Sequence, residues 1–186
     1  MKNDIDKAID ILKKGGVILY PTDSVWGIGC DATSEEAVAK IYAIKKHQES
    51  KMMICLVANQ FMLEQHVNKV PETAYDIMDF SEKPVTIIYD QPKNIAKNLI
   101  ASDNTLAIRV ASDPFCQRLI NSFKKPIVAT SANITGQPTP TNFSEIEETI
   151  LKAVDYTVSV GRDIQNKSAS TIIKLGNDGT VKIIRK

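Results

Sequence analysis

Five groups of polar residues interrupt the apolar patterning of this 186-residue chain, and their types define the chemistry available to it. Pro21-Thr22-Asp23-Ser24 follows a short apolar run, and Lys45-Lys46-His47-Gln48-Glu49-Ser50-Lys51 separates a helical pattern from a strand pattern. Thr130-Ser131-Ala132-Asn133 lies just beyond a second apolar run, Ser168-Ala169-Ser170-Thr171 enters a third, and Arg109 stands alone near the end of a fourth. Together they supply hydroxyls, an amide and several cations, with few carboxylates. That inventory suits the binding of a phosphate chain or a carboxylate better than hydrolysis by a carboxylate pair. Each group also has a plainer reading. Residues 45–51 fit a solvated loop, 130–133 a Ser/Asn turn, and Arg109 one half of a core ion pair. Pro21 to Ser24 fits a proline-initiated turn capped by Asp23, with Trp26 packed behind it.

Other chemistries find little support. His47 and His66 lack ligand spacing, and Cys30, Cys55 and Cys116 form no C-x-x-C, so the cysteines read as free core thiols. There is no G-x-S-x-G and no G-x-x-x-x-G-K-[ST], and Gly15-Gly16 precedes a strand instead of joining one to a helix. A net charge of +1 gives no general case for a nucleic-acid or membrane surface, though a local basic cleft remains open. The N-terminus has no secretory pattern, and no run approaches the ~20 apolar residues of a membrane span. A soluble, cytoplasmic protein with no membrane partner is expected.

The elements that position these groups follow from periodicity. Helices are predicted over 4–14, from a Thr33/Glu36 capping box to about Lys46, from Asn59 to about His66, from Pro71 at the first helical position to about Phe80, from Asp113-Pro114, and from a Ser144/Glu147 box to about Lys152. A short helix is placed around 95–99. Strands are predicted at 17–20, 52–57, 85–89, 105–110, 126–130, 156–160 and 170–175, with a Gly176-Asn177-Asp178-Gly179 hairpin to a last strand ending near Ile184. The length and 43% hydrophobic content fit one α/β domain, residues 1–186, with a twisted sheet mixing parallel and antiparallel pairs.

In order along nearly the whole chain, these groups resemble the motifs of the YrdC/Sua5 family, the threonylcarbamoyl-adenylate synthases. Pro21-Thr22-Asp23-Ser24-Val25-Trp26-Gly27-Ile28 is similar to P-T-[DE]-[ST]-x-Y-G-[LI], and Lys45 to Lys51 to K-x-R-x-x-x-K. Pro84-Val85-Thr86 matches P-x-T, and Ala107-Ile108-Arg109 matches A-[VI]-R. Ser131-Ala132-Asn133-Ile134-Thr135-Gly136 completes S-A-N-x-[ST]-G, and Ala169-Ser170-Thr171 stands for P-S-T. The resemblance implies a YrdC-like sheet around a positively charged cleft. It also implies condensation of L-threonine, bicarbonate and ATP into threonylcarbamoyl-AMP, with Mg²⁺ accompanying ATP and pyrophosphate released. The group then passes, through partner transferase proteins, to tRNA as the t6A modification, with tRNA contact possible for the synthase itself. By position, Thr22, Arg109, Ser170 and Thr171 are implied on the threonine side. Lys45, His47, Lys51, Thr86, Thr130, Ser131 and Asn133 are implied on ATP and its phosphates. No covalent nucleophile and no protein metal ligand are implied. The alternative is a non-catalytic RNA-binding module of the same fold. Three positions depart from the pattern: His47 for arginine, Trp26 for tyrosine and Ala169 for proline. A neutral imidazole cannot supply arginine's permanent two-pronged cation, so either Lys46 carries that charge or phosphate is held more weakly.

Overall fold

The computed structural model describes residues 1–46, 53–163, 165 and 169–185. Helix α1 (Lys2–Lys13) buries Ile5, Ala8, Ile9 and Leu12, the stripe its spacing predicts. Strand β1 (Ile18–Tyr20) is buried throughout. Then comes a strand the sequence pattern hides, β2 (Gly27–Gly29), in a stretch expected to be a polar loop. Glycine reads as a turn signal, but here it answers a close approach. A Cβ at Gly29 would lie 2.4 Å from the Val128 carbonyl oxygen and 2.6 Å from the Tyr20 ring. Only a bare backbone lets the Tyr20 hydroxyl reach and donate to that same carbonyl at 2.9 Å.

Helix α2 (Glu35–Lys45) starts one residue later than expected. Ser34 caps it by accepting from the Ala37 N–H, because the Thr33 hydroxyl and N–H both donate to Asp31. Strand β3 (Ile54–Val57) is followed by α3 (Gln60–His66), capped by Asn59 as read, and α4 (Glu72–Phe80), where Pro71 is the cap residue itself. Strand β4 (Val85–Asp90) leads through one 3₁₀ turn at Lys97–Leu99, shorter than the helix expected there, to β5 (Thr105–Val110). Asp113 and Pro114 open α5 (Pro114–Phe123) as predicted. After β6 (Ile127–Ser131) the Ser144/Glu147 box does not form. The Ser144 hydroxyl donates to Asn142, which caps a 3₁₀ turn at Phe143–Glu145, and α6 (Glu148–Ala153) begins without a side-chain cap. The strand expected at 156–160 shrinks to β7 (Tyr156–Thr157), and the chain closes on the hairpin of β8 (Thr171–Leu175) and β9 (Val181–Arg185).

Among the described residues, nine strands form one sheet in the order β7-β1-β2-β6-β3-β5-β4-β8-β9. Pairs β1·β7, β3·β5 and β4·β8 are parallel and the others antiparallel, the mixed α/β sheet the pattern predicts. Alternation along the central strands sends Ile87 and Ile108 into the main core. Ile88 and Ala107 turn to the other face, where they join Ile172 in a small separate cluster. Arg109, two residues beyond Ala107, shares that second face, as does Thr86, two residues before Ile88. The three cysteines are free and buried.

Candidate functional site

Two cavities flank the loop that leaves β1. The inner one, of about 330 Å³, gathers Thr22, Lys45, Arg109, Thr130, Ser131, Asn133 and Ser170 from five separate stretches of the chain. The outer one, of about 1080 Å³, lies beyond the shared wall of Thr22 and Ser24 and is lined by Asp23, Trp26, Asp79, Glu82, Lys83 and Asp113, among others. Two of the other sequence-predicted residues do not line the inner one. Thr86 is fully buried behind the inner pocket, where its hydroxyl pairs with that of Ser170 at 2.8 Å. Thr171 opens β8 beside Ser170 and is not among the lining residues. His47 and Lys51 lie outside the described residues.

The wall is built by a hydroxyl that folds its own loop. Thr22 Oγ1 donates to the Val25 carbonyl at 2.7 Å and accepts from the Ser24 N–H at 3.1 Å. This turn swings Asp23 toward β5, where its Oδ1 lies 3.0 Å from Arg109 Nη2. Its other oxygen accepts from the Ser112 N–H and hydroxyl. Arg109 is only 3% exposed, so the core ion pair and the site arginine are one and the same residue. The pair is close but poorly aligned: Asp23 Oδ1 and Arg109 Nε are both buried without a hydrogen-bond partner among the described residues. An ionised donor left unsatisfied in a pocket is costly unless a ligand atom meets it.

Lys45 is equally buried. Its Nζ donates to the carbonyls of Ser131 at 2.6 Å and Asn133 at 2.8 Å, and to Asn133 Oδ1 at 3.2 Å. Burial pushes its ammonium down to about 8. Asn133 is held further by the Ser131 hydroxyl, and its amide donates to the Gln137 carbonyl. Trp26, fully buried, packs against Phe143 with ring centroids 4.9 Å apart, and its indole N–H has no partner among the described residues.

Sequence reasoning missed Arg185. It lies on β9, and its Nε and Nη2 both donate to the Ser170 carbonyl, at 3.1 and 2.8 Å. Burial, then the charge of Arg109, lowers its pKa below the ordinary value. The signal was present only in the hairpin register, which sets Ile172 opposite Arg185. The inner pocket therefore holds three cations, Lys45, Arg109 and Arg185, and no carboxylate among its described lining residues. Side chains of these types can pair with anions, and the hydroxyls and amide can orient phosphoryl or carboxylate oxygens.

The fold and pocket define an α/β protein with a cavity lined by cationic, hydroxyl and amide side chains on one face of a mixed sheet. The sequence model of the Sua5/YciO/YrdC family, described as "Telomere recombination", matches residues 10–186, and the chain belongs to that family. It is 35% identical over 160 residues to the threonylcarbamoyl-AMP synthase of Pseudoalteromonas translucida (strain TAC 125), an alignment covering 84% of this chain and 86% of that protein. Among solved structures, E. coli YciO superimposes with a TM-score of 0.85 at 27% identity, covering all of this chain and 90% of YciO. P. abyssi Sua5 complexed with L-threonine gives 0.81 at 26% identity over 92% of this chain, which spans only half (50%) of that Sua5 chain.

Proposed function

We propose that the inner pocket condenses L-threonine, bicarbonate and ATP into threonylcarbamoyl-AMP, the product that names the chain's curated relatives. The observation that carries this reading is the convergence of three cations without a described carboxylate around hydroxyl and amide groups. The buried, unpartnered Arg109 Nε–H is the donor for the threonine carboxylate. Thr130, Ser131 and Asn133 face the phosphoryl oxygens, and Arg185 adds charge beside them. Ser170, backed by Thr86, and the neighbouring Thr171 bound the threonine end, and Thr22 forms the wall. His47 and Lys51 are assigned to the phosphates by the resemblance alone.

The chemistry needs no protein nucleophile. Threonine's amine attacks the carboxyl carbon of bicarbonate and water leaves, giving a carbamate. A carbamate oxygen then attacks the α-phosphorus of ATP, and pyrophosphate departs with the electron pair of the broken P–O bond. The protein contributes proximity and fixed positive charge where phosphoryl charge develops. Mg²⁺ is proposed as ATP's companion. No described carboxylate lines the inner pocket, and the described residues hold no cluster of three His, Cys, Asp or Glu. The triphosphate and water would therefore hold the ion, where it would neutralise phosphoryl charge.

The product is proposed to pass to tRNA through transferase partners in the cytoplasm; no described helix is long and apolar enough to cross a membrane. The four carboxylates of the outer cavity weigh against a phosphate-gripping RNA module there. The test is pyrophosphate release by purified protein with ATP and Mg²⁺. Release that requires both threonine and bicarbonate, with threonylcarbamoyl-AMP found by mass spectrometry, is expected. Release without threonine, or no product, overturns the proposal.

A further inference from the structure

We infer that Lys45 is a positioning residue: its ammonium holds the 131–135 loop in its binding shape and does not itself grip phosphate. This rests on reading the inner pocket as the ATP site. The argument begins with a count. A lysine ammonium has three N–H donors, and three oxygens already surround Nζ: Ser131 O, Asn133 O and Asn133 Oδ1. No donor is left over for a ligand. The main chain repeats the tie, since the Thr135 N–H donates to the Lys45 carbonyl at 3.0 Å. One residue, at the last position of α2, thus clamps both ends of the segment whose hydroxyl and amide groups line the pocket.

The clamp works only while charged. A neutral amine has two N–H groups and a lone pair, so one of the three oxygens would face electron density instead of a proton. Burial presses toward that neutral form, with the ammonium pushed down to about 8. Among the described residues, the groups facing Nζ are Ser131 at the end of β6 and Asn133 just beyond it, and neither titrates. Arg109 from β5 and Arg185 from β9 are the other charged groups that share the pocket. His47, two residues on, lies outside the described residues. Loop order is therefore expected to fall as pH rises through about 8, while the fold is not weakened. Below that pH both folded and unfolded chains carry the proton. Above it the unfolded chain alone keeps it, up to the ordinary lysine value of 10.5, so this group's contribution to stability rises with pH.

Three proteins test this: wild type, Lys45→Arg and Lys45→Met. The readouts from pH 6.5 to 9.5 are the methyl signals of Ala132, Ile134 and Thr135, the affinity for ATP, and the melting temperature. In wild type the methyl signals are expected to shift with a midpoint near pH 8. ATP affinity should weaken about tenfold across the range, as for loss of a charged hydrogen bond, with no matching drop in melting temperature. Lys45→Arg, which keeps its charge and keeps His47, should lose the midpoint. Lys45→Met should resemble alkaline wild type at every pH. The inference is overturned if the wild-type loop signals do not titrate near pH 8, or if Lys45→Arg titrates as wild type does. It is also overturned if Lys45→Met loses ATP while the loop signals stay in place, which would make Lys45 a direct contact. Should Lys45→Met fail to fold, the wild-type and arginine titrations still decide. If wild type binds no ATP, the reading of the pocket falls, while the loop titration still judges the clamp.

Discussion

The inner pocket and the outer cavity share Thr22 and Ser24 as a wall but carry opposite charge. The inner one has Lys45, Arg109 and Arg185 with no described carboxylate; the outer has Asp23, Asp79, Glu82 and Asp113 against Lys83. The inner charges are held by structure: Lys45 and Arg109 are each 3% exposed, and Arg185 is fixed on a carbonyl by two nitrogens. The outer charges are of two kinds. Asp79 and Glu82 are exposed, whereas Asp23 and Asp113 work for the fold, one pairing with Arg109 and the other accepting from the Cys116 N–H at the start of α5. Water screens the exposed pair, while desolvated cations keep their field. Charge in the inner pocket is therefore expected to act on ligands, and charge in the outer cavity mainly on folding. The Asp23–Arg109 pair is the one place where the two roles meet.

Breaking that junction should have the largest effect. Arg109→Met leaves Asp23 buried without its cation and is expected to cost ~3–5 kcal/mol in denaturant unfolding, together with the loss of threonine-dependent pyrophosphate release. Adding Asp23→Leu should restore most of the stability and none of the activity; if activity returned, Arg109 would serve the fold alone. Thr86→Val is next. It deprives the buried Ser170 hydroxyl of its 2.8 Å partner, at an expected cost of about 1–3 kcal/mol, and should raise the threonine concentration needed for half-maximal rate. An unchanged threonine requirement would place Ser170 outside the substrate's reach. The smallest effect belongs to the outer rim. Asp79→Asn with Glu82→Gln should move stability by less than about 0.5 kcal/mol and ATP affinity by no more than about twofold, toward tighter binding at low salt. A large loss of activity would show that the outer carboxylates touch substrate.

Much of this was legible in the chain. Apolar runs gave the strands, and Asp113-Pro114 and Asn59 gave helix starts, because these signals are local. Thr22, Arg109, Ser131 and Asn133 stood out because polar groups broke apolar periodicity. Three things were hidden. β2 is a three-residue strand with a glycine at each end, and the reason for Gly29, the Tyr20 ring and the Val128 carbonyl, lies on other strands. Arg109 was open to two readings, ion pair or ligand clamp, and only the turn at Thr22 shows that the first prepares the second. Arg185 carried no mark at all, since an arginine ending an exposed strand is ordinary until hairpin register places it beside Ser170. Residues 45–51, read from sequence as a cationic loop, divide: Lys45 is buried structure, while His47 and Lys51 lie outside the described residues.

The position of Arg185 has a consequence for heat. It stands on a strand whose five residues are all exposed, attached to the sheet through β8 alone. Sheet margins with so little burial are the first to open, at a fraction of the free energy needed to unfold the whole. Warming should therefore separate two events. Catalytic competence fades as the margin frays and withdraws one of the pocket's three cations. The fluorescence of Trp26, fully buried in the core, meanwhile reports nothing wrong. The upper working temperature of this protein is therefore expected to be set by the exposed β9 margin, below the point at which its core melts, and activity followed beside Trp26 fluorescence on one temperature ramp checks this.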